Sequence, residues 1–243
     1  VNYGQLDVGR GGAAFLIAER IENHGNISAP EGGIGLIAGQ EVLLSERPDG
    51  RGLSATVRLP SGSVDNAGRL VAGGGTIALN ARVVNQNGVV QANSIRERNG
   101  IIELVAAEAI TLGDHSVISA NGDLSNTSDG GEIKIKSAGT FADSSSSQIN
   151  VAGGGLGGNG GFVEVSAPFM PFIRSRIVGH ANPEAVGGRL LIDPLDIVIG
   201  TTGSGSADSG TVNSGDAPVA GALNLNASSA FLGFSQIDLQ ATR

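Results

Sequence analysis

The chain has no cysteine and no tryptophan. Without cysteine there is no disulfide framework and no thiolate metal site, and such a composition suits an exported protein that avoids stray oxidation. One tyrosine and seven phenylalanines make aromatics only 3% of 243 residues, so platforms on which bases or sugar rings would stack are missing. Charged residues reach 16%, below the usual ~25%. Only two of the 15 basic residues are lysines, Lys134 and Lys136, and the net charge is −8. An acidic chain without a Lys/Arg cluster is a poor nucleic-acid partner and is repelled by anionic lipid. No apolar run approaches the ~18 residues of a membrane helix. At 40% hydrophobic the chain is too apolar to remain disordered.

What the chain has in excess is glycine, 40 of 243 residues against a usual ~7%. The glycines do not recur every third residue, which excludes collagen. Instead they punctuate a repeat. Lines of sequence begin at Ala13, Ile34, Thr76, Ile101, Glu132, Phe162 and Arg189, mostly after a glycine pair, and each opens with a short apolar strand. A second strand closes most lines on alanine: Ala29, Ala72, Ala92, Ala120, Ala152 and Ala181, spaced by 43, 20, 28, 32 and 29 residues. A period of this size, built of strands and glycine turns, predicts an all-β solenoid whose passes stack because none can bury its own inner face. Small residues at one corner let passes approach to the ~4.7–4.9 Å strand spacing, and the corner glycines are expected to supply positive φ. The narrow interior favours Val, Ile, Leu and Ala, with Phe141, Phe162, Phe169 and Phe172 expected as stacked core residues.

Residues 13–23 and 101–112 carry Ala, Leu and Glu at helical spacing. They align with Thr76–Val83 and Phe162–Ser166, whose composition is unsuited to helix, so strand is expected throughout. Asn23, Asn66 and Asn85 recur at one place in three lines. Two readings stand: asparagine tolerating a turn, or an internal ladder of stacked amides. The insertion 45–63 (SERPDGRGLSATVRLPSGS) reads as a hairpin or loop projecting from one pass. It carries Arg47, Asp49, Arg51 and Arg58, the candidate binding residues. Residues 200–217 are a Gly/Ser-rich loop, and 218–243 resume the strands. The whole of 1–243 is thus expected to be one segment of a longer chain, since it starts at Val1 and stops in what reads as the middle of a strand.

The phrases IENHGNISAPEGGIGLIAG, RPDGRGLS, VVNQNGVVQA, GGRLLIDPLDIVIG and SAFLGFSQIDLQAT resemble filamentous-haemagglutinin-type exoproteins of two-partner secretion systems. The most specific pieces are Asp193-Pro194, after a Gly-Gly strand, and the GFSQI box. The resemblance implies a right-handed parallel β-helix, and the repeat itself gives about seven to eight coils with extra-helical loops. It implies export through a dedicated outer-membrane pore and a role in attachment at the cell surface, outside a Gram-negative-type bacterium. The family's amino-terminal Asn-Pro-Asn-Gly boxes are absent, which places this segment downstream of the secretion domain.

Catalytic chemistry is the rival expectation, because some parallel β-helices cleave polysaccharides with clustered carboxylates. Asp193 and Asp196 are two carboxylates with a proline between them, and turn and edge roles suit them better. His24, His115 and His180 share no motif. The glycines of 153–161 lead into a strand rather than a helix, so the run is no dinucleotide loop. No catalytic, cofactor or metal residues are assigned. The expected function is an adhesin-type rod with a glycan or protein target. A passive stalk, a self-associating filament subunit or a polysaccharide-acting enzyme are the alternatives.

Overall fold

The computed structural model describes residues 1–48, 50, 52–200, 222–226 and 231–241. The described residues form strands and turns, with no helix. Strand therefore prevails over local helical spacing at Ala13–Ile17, Arg20–Asn23 and Ile101–Leu112. At 101–112 the reason is cross-strand burial: Ile102, Leu104, Ala106, Ile110 and Leu112 are all 3% exposed or less, a period-two pattern on either side of a bulge.

Two parallel sheets carry the architecture. One has seven described strands: Gln5–Asp7, Asn26–Ser28, Arg69–Val71, Val89–Gln91, Val117–Ser119, Gln148–Asn150 and Arg176–Val178, in that order. The longer sheet runs through Ala13–Ile17, Gly33–Ile37, Thr76–Gln86, Ile101–Leu112, Glu132–Ser137, Phe162–Ser166, Gly188–Asp193 and Phe234–Leu239. The chain visits the two sheets alternately, so each pass adds one strand to each. Ala13, Gly33, Thr76, Ile101, Glu132, Phe162 and Arg189 share one line across the long sheet. Six of these are line starts in the sequence; at the remaining line the true match is Gly33, one residue before Ile34.

Thr76–Gln86 and Ile101–Leu112 continue past a register shift between Ala81 and Val83. Their second halves pair on one side with Ser63–Asn66 and on the other with Thr140–Asp143. The extra residues there include Arg82 and Glu108, which form an ion pair on the outside.

Inward positions make continuous apolar columns. One runs Ile34, Ile77, Ile102, Ile133, Val163, Leu190, and another Ile27, Leu70, Val90, Ile118, Ile149, Ile177, all 2% exposed or less. Each such side chain contributes about 1.5–3 kcal/mol on burial. Phe141 belongs to this core at 2% exposed, but Phe169 is 51% exposed. Phe162 faces outward under Arg189, and Phe172 lies under Arg174. Three of the four expected core phenylalanines therefore line the outside, because their positions fall on outward register or in turns.

The corner glycines also differ from expectation. Gly131 and Gly188 have no positive φ. A Cβ on Gly131 would collide with the carbonyl oxygen of Gly100, and one on Gly188 with that of Gly161. These glycines are there because stacked backbones touch, whereas Gly11 and Gly74 do occupy the left-handed region.

Candidate interaction surface

The insertion forms an antiparallel hairpin, Gly39–Glu46 against Leu53–Pro60. It begins before residue 45, and its Arg47, Leu53, Ser54 and Ala55 line a recess with Phe15, Ala78 and Glu103 of the long sheet. Val57 occupies the space that a Cβ on Gly39 would need. Near the hairpin tip, Arg47 reaches Glu103 at 4.0 Å, with its side chain only 15% exposed. Arg58 is exposed on the other strand, opposite Glu41 near the hairpin base. Asp49 and Arg51 lie outside the described residues. Arg47 and Arg58 are thus placed at opposite ends of the hairpin and are not brought together.

The asparagines resolve into a ladder displaced by one residue. Asn2 donates to Asn23 Oδ1, Asn23 to Asn66 Oδ1 and Asn66 to Gln86 Oε1, each at 2.8 Å. Asn23, Asn66 and Gln86 are at most 1% exposed. Asn85 is not a rung. It pairs in register with Asp65, and its amide donates to Asp65 Oδ1 at 2.7 Å on the outer face. A single residue of register moves a side chain from one face to the other. Glutamine in the rung was the missed signal, since it offers the same amide one methylene further out.

Ala29, Ala72, Ala92 and Ala120 stand in one fully buried column. The next member is Val151, not Ala152, because Ser119 pairs with Asn150. Ala152 instead donates its backbone N–H to Asn121 Oδ1 at 2.8 Å. Asp193 ends the strand Gly188–Asp193 and its carbonyl accepts the N–H of Ala167. Pro194 follows it at the bend, lining a shallow recess with Pro168.

Among the described residues, Asp143 and Glu164 are the buried titratable side chains. Asp143, 8% exposed, sits in the ladder's own column, next after Leu112. It accepts the backbone N–H groups of Arg174 and Ser175 and the Ser175 hydroxyl, at 2.6–3.0 Å. Burial pushes its carboxyl above the usual value, and the Ser175 and Arg174 donors offset part of that. His24 stacks on Tyr3 with centroids 5.1 Å apart. His115 and His180 are exposed elsewhere. Among the described residues no three His, Asp or Glu side chains converge as a metal-holding group.

The outer face of the long sheet is laced with charge. Lys134 meets Glu132, Lys136 meets Glu164 and Arg189 meets Asp238, each at 2.7 Å. Burial works against the Lys134 ammonium, but Glu132, Glu103 and Glu164 together hold its pKa above the ordinary value. Exposed pairs of this kind are worth little individually. They leave this face polar and close to balanced.

A second charged region was not legible in the sequence. Arg10, Glu31, Arg96 and Arg98 come from three separate segments and line one open cleft of about 540 Å³. Glu31 holds Arg10 at 2.7 Å and Arg98 at 3.4 Å. The adjacent Arg10 guanidinium keeps the Glu31 carboxyl below the ordinary carboxylate range.

No family model, curated protein or solved structure matches the chain.

Proposed function

We propose that the chain is a right-handed parallel β-helix segment of a filamentous-haemagglutinin-like exoprotein, acting as an adhesin-type rod at the bacterial surface. The observation that carries this reading is the column register. The same inward positions recur through six or more successive parallel strands in both sheets. Such a chain gains stability by nearest-neighbour stacking. It can cross an outer-membrane pore unfolded, without disulfides, and fold pass by pass outside. Seven or eight coils at ~4.8 Å give a rod of roughly 35–40 Å. The rod carries lateral corners and the hairpin as contact surfaces for a glycan or protein target.

Small-angle scattering on the purified chain tests the shape; an isotropic particle overturns the rod. Binding of labelled chain to host cells tests the role. Deleting two whole passes should abolish binding if the segment carries the contact, while a passive stalk tolerates the deletion. The reading assigns no turnover. Release of unsaturated sugars from acidic polysaccharides with calcium would replace it with an enzyme.

A further inference from the structure

Corner turns from successive passes meet at the Arg10 cleft. Gly11, Glu31 and Gly74 hold equivalent corner positions, each just before the glycine that leads into the long sheet, and all three have positive φ, at 78, 54 and 64°. Two are glycine, as the left-handed region favours. Glu31 is not, and an L side chain is unfavourable there. What its side chain does is accept Arg10 and Arg98. Arg98 comes from an extension of the fourth pass, closed by a bridge between Ile95 and Arg98, that folds over the Gly73–Gly74 corner through Ile95. The tip of this extension, Arg96, also has a left-handed backbone, φ 55°. Arg96 is exposed and forms no ion pair among the described residues. Arg10 is 73% exposed and Arg98 45%.

We propose that this cleft binds carboxylate groups of an acidic, uronate-bearing glycan chain through Arg10, Arg96 and Arg98. The inference rests on the surface-attachment reading above and names its target class. Guanidinium forks match carboxylates in geometry and charge, and the cleft already holds one carboxylate, its own Glu31. Three guanidiniums face two carboxylates, Glu31 and the neighbouring Glu97, so the cleft is a local cationic site on a chain of net charge −8. Among the described residues its sole apolar lining residue is Ile95, which offers little to peptide side chains. Arg10 and Arg98 come from different passes yet converge on the one Glu31 carboxylate, at 2.7 and 3.4 Å, so the cleft is sized for a carboxylate, and Arg96 beside them is placed for a further one on a repeating polyanion. Because Glu31 is held ionised, it competes with the ligand.

The test is calorimetric titration of the whole chain with a galacturonic acid tetramer, its methyl ester and a glutamate tetrapeptide, at fixed ionic strength. Saturable binding of the acid and none of the ester is expected. Arg96→Asn, which keeps a residue tolerant of the left-handed region, should weaken binding at least about tenfold, the loss of one charge-assisted bond. Arg98→Ser should do the same, and Glu31→Gln should strengthen binding. No saturable binding, equal binding of the ester, or an unaltered Arg96→Asn variant overturns the proposal. Tighter binding of the peptide overturns the glycan assignment. A rod by scattering with no uronate binding would sink this inference alone.

Discussion

Asn23 donates its side-chain amide to the side-chain oxygen of Asn66 at 2.8 Å across 43 residues of sequence. The insertion that separates them is folded outside the stack, so two distant residues become neighbouring rungs. Every rung donates in the same direction, from Asn2 to Gln86, and Gln86 closes the run on the carbonyl of Gly88 at 2.8 Å.

Asn66→Ala removes an inner rung, leaving the buried Gln86 Oε1 without its donor and Asn23 Nδ2 with only its 3.3 Å bond to the Gly25 carbonyl. The expected loss is about 3 kcal/mol in urea unfolding. Asn85→Ala, on the outer face, should change stability by no more than about 0.5 kcal/mol. Equal effects of the two would refute the register.

Gly131→Ala and Gly11→Ala separate two reasons for glycine. Gly11 has open space around a Cβ but a φ of 78°, so its substitution should cost about 1–2 kcal/mol. Gly131 has no positive φ but meets the Gly100 backbone. Its substitution must push two passes apart, and the fall in thermal midpoint should be the larger.

Asp143 gives the fold a pH dependence of its own. Burial raises its folded-state pKa above the ordinary 3.8. The native state therefore binds the proton more tightly than the unfolded chain does. The associated stability is complete below pH 3.8 and is lost as pH rises through the raised folded value. Asp143→Asn lacks this titration. Its stability relative to the parent chain should improve between pH 4 and pH 7 in parallel denaturant titrations, and a constant difference would contradict the assignment.

Ser116 is fully buried and its hydroxyl has no hydrogen-bond partner among the described residues. It follows Gly4, Gly25, Gly68 and Gly88 in one corner column and precedes Ser147 and Ser175. The hydroxyls of those last two bond each other at 2.6 Å. Ser116→Ala removes an orphaned polar group without adding volume, so the thermal midpoint should rise, by about 1 kcal/mol in stability. Ser147→Ala should lower it.

Much of the architecture was legible because it is periodic. The glycine-marked lines, the alternation of Ile133, Ile135 and Ser137, and the spacing of Ala29 to Ala120 depend on local pattern, and stacking multiplies that pattern. The candidate binding residues were less legible. Arg47 stood out by composition, yet its side chain is largely covered and its guanidinium lies 4.0 Å from Glu103, a residue 56 positions on whose facing no local rule predicts.

By itself the sequence determined the strand-and-turn rhythm, the apolar interior and the exclusion of disulfides and collagen, since each follows from composition or a short period. Only the tertiary structure decided that Gln86, not Asn85, completes the ladder, that Gly131 is required by a neighbouring backbone rather than by φ, and that Arg10 and Arg98 share Glu31. The physical reason is common to all three. Parallel stacking brings together residues 20 or more positions apart, and one residue of register decides which side chains face each other.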